Sequence, residues 1–202
     1  MSADPAGLGR DLARRHQDSV VDVDETRTLL QVSESARAGD WTLRSSLMRF
    51  AQPHPALAGA VLESVRRSQA SLDPLARRLM AHGTVTDRRL SFNDDGLAPV
   101  AEPCPDVRVA DLARLVRLHP DGRAVIGGYE EITPLDECER QAVDLLVVAL
   151  DLDEMAEELA AWSLVAPHDP PVERVELLAR STFERLAELG VARESAPPRR
   201  RG

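Results

Sequence analysis

Apolar residues recur at helical spacing along most of the chain, punctuated by proline and glycine. Leu8–Gln17 carries Leu8 and Leu12 on one face and predicts a first helix. Asp24 is placed to cap a second, from Glu25 to about Ala38, with Gly39 as its stop. Asp40 caps a third, in which Leu43, Leu47 and Phe50 share a face and Trp41 is a packing residue of the first turn. Pro53-His54-Pro55 breaks that helix, because proline lacks the amide a helix interior needs. Pro55–Leu72 predicts a fourth, with Leu57, Val61, Leu62 and Val65 as its buried stripe.

The pattern changes at Asp73-Pro74, a cap and first-position pair that opens a short turn. From there the apolar run Leu79–Ala81 reads as a strand into His82-Gly83, followed by a polar loop, Thr84–Arg89. A small antiparallel hairpin follows, about Leu90–Phe92 and Leu97–Val100, turned at Asn93-Asp94-Asp95-Gly96. Ala98–Pro105 reads as a Pro-rich corner, and Asp106–Leu118 as a helix with Val109, Leu112, Leu115 and Val116 inward. His119–Gly122 is a turn, and Ala124–Tyr129 is either a brief strand or a bend. Thr133-Pro134-Leu135-Asp136 opens a long helix, with Thr133 as cap and Asp136 in the position of a capping-box acid. That helix runs to Trp162, with a break near Asp151 as the alternative, and buries Val143, Leu146, Val147 and Leu150. A last helix after Asp169-Pro170-Pro171 ends at Gly190 and docks through Val172, Val175, Leu178 and Leu186. The fold class expected is mainly α with one small hairpin. Residues 1–194 form the domain, and 195–202, rich in Pro and Arg, form a mobile tail.

Composition narrows the function classes. A net charge of −9 and a pI near 5.1 argue against a nucleic-acid partner, which needs a basic field. No run of about 20 apolar residues is present, so a membrane partner is not expected, and a cytoplasmic location is. Cys104 and Cys138 have neither metal-ligand spacing nor the density of a disulfide scaffold. The five histidines are dispersed, and no pair has the spacing of a helical zinc site. Eleven acids lie in Glu130–Glu158 against one arginine, Arg140. They read as a solvated helix face rather than a metal site at Asp151, Asp153 and Glu154. No metal or other cofactor is expected. All 25 basic residues are arginine, and no glycine-rich phosphate loop is present.

His82-Gly83, the hairpin after it and the later Asp111-Leu112-Ala113 resemble the catalytic core of the aminoglycoside phosphotransferase and homoserine kinase-like family. Gly127–Val143 and Leu8–His16 resemble segments flanking that core. The likeness implies the helical C-terminal lobe of a kinase-like fold, with no nucleotide-covering lobe before Leu8. By the same likeness, Thr84 stands where the catalytic Asp belongs and Arg89 where the metal-holding Asn belongs. Glu102 is the only carboxylate in the corner where the family places its metal-binding Asp. His82 would brace the loop by hydrogen bonds.

Those substitutions remove the chemistry. Phosphoryl transfer relies on positioning and on metal and cationic groups that neutralise the moving phosphoryl. A threonine hydroxyl is no base at neutral pH, and an arginine repels Mg²⁺ from a site of hard oxygens. The expectation is therefore an inactive, pseudokinase-like protein that binds another chain or itself, with His82, Arg88 and Arg89 as binding residues. Two alternatives stand beside it. One is a pocket for a small cationic ligand lined by acids of Glu130–Glu158. The other is one half of a two-chain phosphotransferase.

Overall fold

The computed structural model describes residues 4–18, 50–82, 84–93, 96–164 and 170–189, and gives the backbone alone for much of the stretch from 72 to 106. The helices expected from Asp24 and Asp40, with Trp41, Leu43 and Leu47, lie outside the described residues, as does the 195–202 tail. What is described is mainly helical: six helices and one two-stranded ladder.

Helix α1 spans Pro5–Gln17 and is capped by Asp4, whose carboxylate accepts from the Ala6 amide at 3.2 Å. Helix α2 runs Pro55–His82, longer than expected at its C-terminal end. Asp73-Pro74 does not start a new element, since Pro74 lies inside the helix. An internal proline forfeits a hydrogen bond and costs about 3 kcal/mol. Packing of α2 against the last two helices offsets that loss. The strand expected before His82 is accordingly the last turn of α2.

Strands β1 (Val85–Asn93) and β2 (Gly96–Val107) pair antiparallel, from Val85 opposite Val107 to Asn93 opposite Gly96. The segment read as a polar loop, Thr84–Arg89, is thus largely strand, and the Pro-rich corner at Ala98–Pro105 lies within β2. The register shifts between Arg88 and Leu90. Backbone pairing on both sides of that shift overrides the weak strand propensity of proline and charged residues.

Helix α3 (Arg108–Leu118) buries Val109, Leu112, Leu115 and Val116. Helix α4 (Gly122–Glu130) is capped by Asp121, whose carboxylate accepts from the Ala124 amide at 3.0 Å. It replaces the strand or bend expected at Ala124–Tyr129. The glycines that weaken its helix propensity serve packing instead: a Cβ on Gly128 would run into the Ala6 carbonyl.

Helix α5 (Glu137–Leu164) is continuous through Asp151. Its cap is Asp136 and not Thr133. Asp136 Oδ1 accepts from the Glu139 amide at 2.8 Å while Glu139 Oε2 accepts from the Asp136 amide at 3.1 Å, a reciprocal capping box. The cap is therefore three residues later than the sequence suggested, and Thr133 Oγ1 is left buried without a hydrogen-bond partner. Helix α6 (Val172–Glu188) buries Val175, Leu178 and Leu186.

Packing runs as a chain of neighbours. Helix α1 lies on α4, α4 on α3, and α3 on α5, which also carries α2 and α6. The ladder meets the helices at the start of α3. Phe50, Val61, Leu112, Met155, Leu159 and Leu186 are fully buried, and Trp162 meets Phe50 edge to face at 6.1 Å. Leu62, expected in the α2 stripe, is instead 43% exposed. Val61 and Val65 of the same stripe are buried, as expected.

Candidate functional site

The residues singled out by sequence are spread from the end of α2 to the middle of the ladder. His82 is the last residue of α2, Arg88 stands opposite Cys104 on β1, and Arg89 stands at the register shift. Glu102 lies on β2 in the stretch opposite that shift. The side chains of these four are outside the described part of the structure. Thr84 is half-buried, and its carbonyl accepts from the Arg108 amide at 3.0 Å. That bond ties the residue before β1 to the first residue of α3. Thr86, two positions further on, is buried, and its hydroxyl has no hydrogen-bond partner.

Sequence reasoning missed the side chains that α3 gathers. Arg108, Asp111, Arg114 and Arg117 recur at every third position, a charged row beside the apolar stripe. At one end, Arg108 forks onto buried Glu139, with Nε 2.7 Å from Oε1, and also donates to the Pro134 carbonyl at 3.1 Å. Burial alone would lower the Arg108 pKa, but the Glu139 carboxylate beside it raises it. The fork thereby fixes the capping box of α5 to α3.

In the middle, Asp111 is 3% exposed and accepts from Arg114 at 3.0 Å. His16, from α1, reaches the same spot. Its Nδ1 is 2.8 Å from the Tyr129 hydroxyl and its Nε2 is 3.6 Å from Asp111 Oδ2. Burial pushes the Tyr129 hydroxyl well above its ordinary value, so it remains a proton donor across the physiological range.

At the far end, Arg117 donates to Asp151 at 2.7 Å and to Glu154, and Arg174 of α6 also binds Glu154. Ser181 donates to the second oxygen of Asp151 at 3.1 Å. Burial would raise the Glu154 pKa, yet its two arginines lower it. Burial, with Glu157 nearby, raises Asp153 to about 6.

This revises the solvated-face expectation for Glu130–Glu158. Glu139 and Asp151 are each 4% exposed and neutralised by arginine. Among the described residues, no group of three acids, histidines or cysteines is arranged to hold a metal ion. No described helix is long and apolar enough to cross a membrane. Chemically, the row joins α3 to α5 through ion pairs at its two ends, and the bond at Thr84 is a backbone anchor for the ladder. No protein-family model matches this sequence, and neither does any curated protein.

Proposed function

We propose that this chain is a non-catalytic, pseudokinase-like lobe that acts by binding another protein through the segment Thr84–Arg89. One observation carries the reading: Thr84 and Arg89 occupy the two positions where the resemblance calls for a base and a metal ligand. Neither side chain can do that work at neutral pH. The order of elements supports it, with α2 ending at His82, then the ladder, then α3 with Asp111-Leu112-Ala113, then α4 and α5. In this reading the fold is the helical lobe of a phosphotransferase-like architecture, and the ladder is its small hairpin.

The protein-contact reading is favoured over a cationic-ligand pocket by the arginine row. Glu139, Asp151 and Glu154 are each engaged by arginine, which cancels much of the field a cationic ligand would seek. The test is co-purification of the chain from its native source with mass spectrometry, alongside calorimetric titration with Mg²⁺ and ATP. A stoichiometric partner and no heat of ATP binding are expected. Micromolar ATP affinity, or turnover in the isolated chain, would overturn the assignment.

A further inference from the structure

We propose that the contact surface is the outer edge of β1, and that it takes an extended, carboxylate-rich segment of a partner protein as an added strand. This rests on the interaction reading above and names its partner chemistry. Among the described residues β1 and β2 pair only with each other, so each has one edge whose backbone groups face away from the ladder. Such an edge is a template for a further strand.

The two edges are not equivalent. Strand β2 carries Pro99, Pro103 and Pro105, which have no amide to donate, whereas Val85–Asn93 contains no proline. Between the pairs Arg88–Cys104 and Leu90–Pro99, Arg89 alone faces residues 100–103. The extra residues bend β2, because a bulge kinks the strand that carries it. Strand β1 is continuous over its 9 residues, longer than the usual strand of about 5–6. Its base is also held in place, since the Thr84 carbonyl is bonded to the Arg108 amide. A preorganised edge loses less entropy when a strand is added.

Charge selects the occupant. The chain is acidic by 9 charges overall, yet the middle of β1 sets Arg88 and Arg89 against the single acid Asp87. Guanidinium groups bind carboxylates through paired donors, so an acidic strand fits this edge. A second copy does not. Pairing β1 to β1 about its centre would set Arg89 against its own counterpart with Arg88 one position away, and like charges across a strand pair are destabilising.

The experiment uses the full chain and fluorescent peptides of about eight residues alternating Glu and Val. A Lys-for-Glu version and a Glu–Val version with alternate backbone amides methylated serve as controls. The Glu–Val peptide should bind and slow hydrogen exchange within 85–93. Both controls should bind about tenfold more weakly or worse. Arg88→Gln with Arg89→Gln should weaken binding by about tenfold while the thermal melt is unchanged. Equal binding of the methylated peptide would overturn strand addition. Protection confined to 96–107, or a dimer that the arginine variant dissolves, would overturn the choice of edge or of occupant. A native partner whose affinity ignores both arginines would overturn the edge and leave the interaction reading intact. Peptide binding on β1 with no native partner recovered would do the reverse.

Discussion

Two seams hold the helices together, and they work by different physics. Between α1 and α4 the backbones touch. A Cβ on Gly9 would strike the Val125 carbonyl, and one on Gly128 would strike that of Ala6. A buried polar link there is His16 to Tyr129, 2.8 Å apart, and Arg10 pairs with Glu131 at the surface. Between α3, α5 and α6 the helices are joined by arginines on Asp151 and Glu154. The first seam is specified by shape and has no room for one extra atom. The second is specified by charge, and its strength depends on every partner being present. A shape-matched seam fails when something is added, whereas a charge-matched seam fails when something is taken away.

The largest effect should come from adding that atom. Gly128→Ala should cost about 3 kcal/mol or more, because α1 must lift from α4 to make room. Urea denaturation measures it, and an unchanged midpoint would refute the backbone-contact seam. Next, Arg117→Ala strips Asp151 and Glu154 of their shared cation. The expected loss is about 2–3 kcal/mol, mostly the penalty of an uncompensated buried Asp151. Pairing it with Asp151→Asn should recover part of that loss in a double-mutant cycle.

A smaller effect follows from Asp153. Its carboxyl is raised from 3.8 to about 6, by burial first and Glu157 second. The folded chain therefore holds a proton that the unfolded chain has released between those values. Stability from this group is present below 3.8 and falls as pH rises through about 6. Asp153→Asn should raise stability by about 1 kcal/mol at neutral pH, discounted because the side chain is half-buried, and leave it unchanged in acid. Urea melts at both extremes of pH read the difference. The smallest effect sharpens the comparison most. Gly127 is adjacent to Gly128 but has open space where a Cβ would go. Gly127→Ala should stabilise by about 0.5–1 kcal/mol, opposite in sign to its neighbour.

The long amphipathic helices were legible because their burial is periodic. Val109, Leu112, Val143, Val147, Val175 and Leu178 are inside, as their spacing required. What was not legible depends on contacts distant in sequence. Pro74 reads locally as a helix start, yet α2 runs through it and packs as a whole against α5 and α6. Gly127-Gly128 reads as a bend until α1 lies across it. Thr133 and Asp136 are both acceptable caps, and Arg108 decides between them by holding Glu139 in the box. Of the candidate site, Thr84 and Arg89 were readable as residue types. The anchoring of Thr84 to α3 was not, since it is a backbone bond between residues 84 and 108.

The seam between α1 and α4 also has a consequence in time. His16 and Tyr129 are 113 residues apart in the chain, so α1 is synthesised long before its docking surface exists. At about 5–20 residues per second, that interval is roughly 5–25 s. A helix of 13 residues is marginal alone in water, so α1 will flicker between coil and helix while it waits. Until α4 emerges, Leu12 has no burial site and stays open to chaperones and proteases. Docking of α1 then closes a loop of about a hundred residues, and on the ribosome it cannot precede the emergence of α4.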